Sequence, residues 1–246
     1  MRSLVLHLHG PMQSWGGDSR LDTRSTERFP TKSALVGILA AALGLHRGES
    51  VESLAALSLT IRIDRNGQIM KDYHTVGGGY PKGQRLKTAE GKGKNERSEK
   101  TAILVSERYY LADAAFTVAL SGDDETITLC NESLKHPQWA LSLGRRSCPP
   151  AEPFFLGVVD DDPAIYLQDV LPVVRDVKRK KDRSVTFIID DPTGEALSVG
   201  DVPQEALNEW SSYGKRNVRR LTRELEEERF VTDPLMLVER SKLSDV

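Results

Sequence analysis

Between residues 3 and 45 the hydrophobic pattern changes its period, and that change restricts the folds open to the chain. In "SLVLHLH" (3–9) Leu4, Leu6 and Leu8 alternate with Val5, His7 and His9, which is the period of a strand with its leucines on one face. In "FPTKSALVGILAAALGL" (29–45) the residues Leu35, Ile38, Leu39, Ala42 and Leu43 recur at i, i+3, i+4 spacing. That is the period of a helix, with Thr31 as N-cap and Gly44 at the C-terminal stop. A domain that opens with a strand followed by a helix is neither all-helical nor all-strand.

The following segments narrow the class. A short helix fits 51–57, and a strand at 58–63 is closed by the turn "RNG" (65–67). "QIMKDYHTV" (68–76), "TAILVSERYYL" (101–111) and "AAFTVAL" (114–120) read as further strands, and 124–137 as the second main helix. The order strand, helix, strand, strand, strand, helix predicts an α+β ferredoxin-like sandwich with extra hairpin strands. Prolines at 149, 150, 153 and 163 break any long element after it. The expected division is a domain at 1–157 and a smaller β-rich C-terminal unit at 158–246, with a strand at "SVTFIID" (184–190). No internal repeat is evident.

Charge is distributed unevenly. The net value is −2, but residues 1–100 carry 16 Lys+Arg against 10 Asp+Glu, and residues 101–246 carry 18 against 26. A local basic face is compatible with nucleic acid, because phosphate contact depends on patches rather than totals. The same asymmetry suits an acidic protein partner. Cys130 and Cys148 form no CxxC, which argues against a cysteine-rich zinc site or a disulfide framework. No apolar run reaches the ~20 residues of a membrane span, and a cytoplasmic location is expected.

Four segments are candidate anion sites, each with a plainer alternative. Arg24 and Arg28 precede the helix at 31–43, and Lys32 sits in its first turn. A lysine there opposes the helix dipole unless phosphate binds at that end, and otherwise it is simply exposed. Arg145 and Arg146 in "LGRRSCPP" (143–150) suit phosphate oxygens or base edges, or else surface ion pairs. The Gly/Lys-rich arm at about 77–100, with Lys82, Arg85 and Lys87 among its cations, folds over an RNA backbone or is a solvated loop. The runs "RDVKRKKDR" (175–183) and "KRNVRRLTR" (215–223) read as solvated faces.

Catalytic constellations are thin. His7 and His9 share a strand face but have no third ligand. Lys135 and His136, with Tyr73 or Tyr80, are the residue types of metal-independent RNA cleavage, with nothing to hold them at hydrogen-bonding distance. There is no GxGxxG, Walker A, GxSxG or HExxH signature.

"LHGPMQSWG", the "RFPTKSALVGILAAALG" helix, "DYHTVGG", "RYYLADAAFTVAL" and "LGRRSCPPAEPFFLG" together resemble the CasD subunits of type I-E Cascade, a repeat-associated (RAMP) family of CRISPR antiviral defence. The resemblance spans about residues 1–157. It implies a modified ferredoxin-like (RRM-like) fold with a protruding thumb at 77–100. It also implies a non-catalytic subunit that holds the 5′ handle of the CRISPR RNA and caps the backbone filament. Partners would be the filament protein, the large CasA subunit and, indirectly, target DNA. No cofactor, metal or membrane contact is expected. In a related subtype the corresponding protein is itself an endoribonuclease, which keeps Lys135–His136 open.

In that setting "GPMQSWG" (10–16) acquires a purpose. Glycines such as Gly16 admit a ligand close to the backbone. Gln13 offers donor and acceptor to a base edge, and Trp15 a stacking face. The loop and the helix start at Thr31, Lys32 and Ser33 would line the handle groove, with Arg108 as a further phosphate or partner contact. The alternative is that Met12 and Trp15 cap the core beneath the sheet.

Overall fold

The computed structural model describes residues 2–16, 23–77, 103–191, 193, 197–203 and 213–240. Most of the Gly/Lys arm, including Lys82, Arg85 and Lys87, lies outside the described residues.

The predicted opening is present. Strand β1 (Ser3–His9) leads through β2 (Met12–Gln13) and β3 (Thr23–Arg24) to helix α1 (Lys32–Leu43), which begins at the Thr31 N-cap and stops at Gly44. A short helix α2 (Glu52–Ala56) precedes β4 (Ser58–Gly77), and β5 (Ile103–Ser121) returns along it. Helix α3 (Asp124–Lys135) starts at Asp123, whose side chain accepts from the Thr126 N–H. After β6 (Phe155–Val159) the chain makes helical turns over 163–170 and continues as β7 (Val173–Val174), β8 (Ser184–Asp190), β9 (Leu197–Pro203), β10 (Tyr213–Glu224) and β11 (Phe230–Val231). A last helical segment, Met236–Arg240, ends the described chain.

These strands form one large sheet in the order β6-β1-β5-β4-β8-β10-β9. Every neighbour pair along that path is antiparallel. The β4–β5 ladder runs from Ser58↔Ser121 to Gly77↔Ile103, far past the point where β8 leaves β4 at Ile63↔Thr186. The result is a long two-stranded ribbon projecting from the sheet, with β2 and β3 laid along β5.

The expected turn at 65–67 is corrected. Residues 58–77 form one strand, interrupted only by a register shift between Ile63 and Arg65. Gly67 sits there at φ 64°, and a Cβ on it would lie 2.7 Å from the Ala112 carbonyl oxygen. Asp113 on the opposite strand also has a positive φ, 51°. The turn chemistry is genuine, but the ladder with a strand fifty residues away uses it to bend the ribbon rather than to reverse the chain.

Both faces of the central part of the sheet are buried. Leu4, Leu6 and Leu8 pack with Leu35 and Leu39 of α1, Ile127 and Leu134 of α3, and Phe116. On the other face Val5, Ala119 and Phe187 are covered by Tyr166, Leu167, Leu171 and Leu237. Each fully buried leucine contributes roughly 1.5–3 kcal/mol. β1 is therefore buried along its whole length despite its alternating pattern. The second face holds polar groups, and three arginines tie its cover down. Arg62 and Arg229 donate to carbonyls of the 167–172 segment. Arg175 donates to the Ile63 and Asp64 carbonyls of β4. Arg175 and Arg216 belong to the two basic runs read as solvated, yet Arg216 is buried and Arg175 is half-buried.

His7 lies within this polar layer. Thr117 donates its hydroxyl hydrogen to Asp64 Oδ2 at 2.5 Å, so the 3.2 Å contact between Thr117 Oγ1 and His7 Nδ1 requires the histidine to be the donor. His7 therefore carries its proton on Nδ1 and leaves Nε2 a bare acceptor. Burial, then the neighbouring His9, Arg62 and Arg65, hold His7 well below its ordinary 6.5. Burial lowers His9 as well, against the raising influence of Glu152 and Asp64. Both rings bind protons less readily in the fold than in the unfolded chain, which takes them up below about 6.5. Stability is therefore complete above that pH and falls as pH drops through it, by up to about 1.4 kcal/mol per pH unit for each histidine. Urea denaturation between pH 7.5 and pH 5.5 measures this (assay range chosen to bracket the histidine value). His7→Asn should flatten the slope, and an unchanged slope refutes the assignment.

Candidate nucleic-acid interface

The loop after β1 is laced to the segment after α3. Ser14 N–H donates to the Leu143 carbonyl at 3.0 Å, and Leu143 N–H to that of Cys148 at 2.7 Å. Arg145 completes the lacing. Its Nη1 donates to the Tyr109 carbonyl at 3.3 Å, its Nη2 to the Arg24 carbonyl at 3.0 Å, and its guanidinium lies 4.8 Å over the Tyr110 ring. The fork thus spends its donors on backbone and holds β3 in place.

Together with the first turns of α1, these segments enclose a cleft of about 380 Å³. Gly16, Arg24, Thr31, Ser33 and Arg145 line it, so the structure brings five of the expected site residues together. Thr31 Oγ1 is occupied as the N-cap acceptor for Ala34 N–H. The Arg24 side chain is exposed and makes no hydrogen bond or ion pair among the described residues. It is the cation this cleft offers to a ligand.

Other expected contacts are corrected. Gln13 and Trp15 are completely buried. Gln13 Nε2 donates to the Leu8 carbonyl at 3.0 Å and the Ala114 carbonyl at 2.8 Å, and its Oε1 accepts from Trp15 Nε1 at 3.1 Å. The indole meets Phe116 edge to face at 6.4 Å. Neither residue can read or stack on a base. The amide joins β1 to β5 where the ladder between them ends, which leaves the buried carbonyls there satisfied. Trp15 thus takes the plainer role of capping the core.

The phosphate expected at the start of α1 is replaced by a carboxylate of the chain itself. Lys32 N–H donates to Asp201 Oδ2 at 2.8 Å. Arg216 grips the same carboxylate with Nε at 2.7 Å and Nη2 at 2.9 Å, and also pairs with Asp190. The Lys32 ammonium is buried 3.7 Å from Asp190, and burial lowers its pKa against the pull of that carboxylate. Asp201 supplies the negative charge the dipole favours, and Lys32 is not a ligand contact. Arg28 and Arg146 are exposed and stand outside the cleft lining. Arg108 is half-buried on β5, with Nε 3.3 Å from Ser106 Oγ.

Ser14, Ser142, Gly144 and Tyr213 are among the lining residues that the expected site leaves out. Gly144 carries a signal in "LGRR", since a glycine beside paired arginines marks constrained backbone. Tyr213 carries none, because the strand that brings it here comes from the far end of the chain.

The groups considered for catalysis stay apart. Lys135 pairs with Glu132 at 3.6 Å and His136 is the exposed C-cap of α3. Tyr73 pairs in register with Glu107 on the ribbon, and no described contact joins it to Lys135 or His136. Tyr80 lies outside the described residues. Burial pushes the Cys130 thiol up to about 11 and raises that of Cys148, so neither is a poised thiolate. Among the described residues no group of three His, Cys, Asp or Glu could hold a metal. No helix there is long and apolar enough to cross a membrane.

Comparison with known proteins agrees with the resemblance in the sequence. The family described as CRISPR-associated protein (Cas_Cas5) matches residues 3–220. The CRISPR system Cascade subunit CasD of Escherichia coli (strain K12) is 38% identical over 194 residues, which cover 72% of this chain and 81% of that protein. A solved chain from a "CRISPR RNA-guided surveillance complex" superposes with a TM-score of 0.82 at 32% identity and covers 97% of both chains. A second, described as a Cas protein, gives 0.68 at 32% identity over 94% of this chain and 99% of that one. On the extent of the family match and the identity to CasD, the chain belongs to the CRISPR-associated Cas5 family.

Proposed function

We propose that this protein is a non-catalytic RNA-binding subunit of a CRISPR surveillance complex, and that it holds the 5′ handle of the CRISPR RNA and caps the backbone filament. The observation that carries the proposal is the cleft, which joins a side-chain cation without a partner among the described residues, Arg24, to the hydroxyl of Ser33 and the exposed backbone at Gly16. The likeness of this chain to one from a CRISPR RNA-guided surveillance complex supports RNA as the ligand. The filament protein and the large CasA subunit are the expected neighbours, with target DNA reached through them in the cytoplasm. The strand order β6-β1-β5-β4 around α1 and α3 supports a ferredoxin-like core; the thumb expected at about 77–100 lies, past Gly77, outside the described residues. The second core, built mainly from residues after 155, supports a C-terminal unit beginning near residue 158.

The test is repeat-derived RNA binding by the assembled complex in EDTA. Arg24→Ala should weaken binding about threefold to tenfold and reduce the slope of log K against log salt by about one. RNA should remain full length on a denaturing gel. A discrete shorter product lost in His136→Ala would make the protein a processing enzyme instead. An Arg24→Ala variant with unchanged affinity and slope would remove this cleft as the binding site.

A further inference from the structure

We infer that Tyr213, from the C-terminal strand β10, is a base-stacking residue of the cleft, which takes one unstacked ribonucleotide of the bound strand. This rests on the reading of the cleft as an RNA site. Three aromatic side chains are strongly exposed among the described residues: Tyr73, Trp139 and Tyr213. Trp139 has a ring partner, His46, at 5.3 Å, and Tyr73 stands on the ribbon. Tyr213 is 52% exposed and lines the cleft that also holds Arg24 and Ser33. Trp15, the aromatic expected to stack, is unavailable inside the core.

The wall that carries Tyr213 is firmly held. Tyr213 pairs in register with Pro203, and both line the cleft. Two residues before Pro203, Asp201 accepts the first N–H of α1. Three residues after Tyr213, Arg216 holds that same carboxylate with two hydrogen bonds. The β9–β10 pair is thereby fastened to the helix whose first turns form another wall, so the ring is held beside Ser33 and Ala34. An aromatic face near a cation is the pairing that single-stranded nucleic acid uses, with the base on the ring and the phosphate on the charge. A cleft of about 380 Å³ is near the small end of the roughly 300–1,000 Å³ typical of ligand pockets. It suits one nucleotide unit and excludes a duplex.

The experiment uses the assembled complex and single-stranded repeat RNA carrying the fluorescent base 2-aminopurine, placed in turn at each handle position. Stacking predicts that one position is quenched on binding and regains fluorescence in Tyr213→Ala. Affinity should fall about fivefold or more in Tyr213→Ala. Tyr213→Phe should retain affinity, because the ring face does the binding, and the salt slope should not change in either variant. Arg24→Ala is measured in parallel. If Arg24→Ala lowers the slope while Tyr213→Ala leaves affinity and fluorescence unchanged, the stacking role is overturned and the cleft reading survives. If both variants are silent, the cleft is not the RNA site and both readings fall.

Discussion

Arg62→Ala is expected to destabilise the protein by about 3–5 kcal/mol. The guanidinium is completely buried. It donates to Asp64 Oδ1 at 2.6 Å, to the Leu167 carbonyl at 2.5 Å, to the Leu171 carbonyl at 2.6 Å and to the Pro172 carbonyl at 2.7 Å. Alanine leaves a buried carboxylate without its cation and takes a donor from three buried carbonyls, of which that of Leu171 keeps Arg229 Nη2 at 3.0 Å. Thr117 still donates to Asp64, but one neutral donor does not replace a charge in a dry interior. The double variant Arg62→Met, Asp64→Leu should recover only part of the loss, since the Leu167 and Pro172 carbonyls still lack the donor that Arg62 gave them. Urea denaturation gives the magnitude, and limited proteolysis should show the 160–175 segment, which those carbonyls anchor, becoming the first site of cleavage. A loss below about 1.5 kcal/mol would mean that water enters and satisfies these groups, and that the layer is looser than its geometry.

Gly144→Val should cost about 4 kcal/mol, and binding should suffer beyond what lost stability explains. The residue has φ 90°, a region that disfavours any β-branched side chain. A Cβ there would also sit 1.7 Å from the Ser14 carbonyl oxygen. Backbone strain of about 1–3 kcal/mol adds to a similar overpacking term. The clash falls on the lacing between Ser14 and Leu143 that shapes the cleft, so the Arg24 and Gly16 walls must part. Thermal unfolding and RNA affinity of the assembled complex are measured together, at a temperature where the variant is still folded. A variant as stable as the wild type, or one that is destabilised but binds normally while folded, would contradict this account.

Much of the architecture was legible in the sequence because local chemistry and tertiary pairing agree there. The strand at 3–9 and the helix with its Thr31 cap and Gly44 stop follow from period and capping alone. The helix read at 124–137 is present as α3, and the structure adds its Asp123 cap. At 65–67 the local signal was equally clear, yet the long-range ladder outweighed it. Turn residues only permit a reversal, whereas continuous pairing with β5 satisfies backbone groups on both sides of the bend. The candidate site divides along the same line. Arg24, Thr31, Ser33 and Arg145 were recognisable by type and by their place next to glycines and a helix start.

Gln13, Trp15 and Lys32 have the same chemical credentials as a ligand contact, and only the packing turns them inward. Whether an amide, an indole or an ammonium meets a ligand or the core depends on which groups from elsewhere in the chain arrive first. Here these are the carbonyls of Leu8 and Ala114, the ring of Phe116, and the carboxylates of Asp190 and Asp201. Period, caps and breakers act over a few residues, so the sequence by itself determined the strands at 3–9, 58–63, 68–76, 101–111, 114–120 and 184–190, the two main helices and the basic character of the segments around the cleft. Burial of the second sheet face, the filling of the α1 N-terminus from within and the arrival of Tyr213 at the cleft depend on contacts between residues more than a hundred positions apart. Only the tertiary structure decides those, because no local pattern encodes which distant partner a side chain will meet.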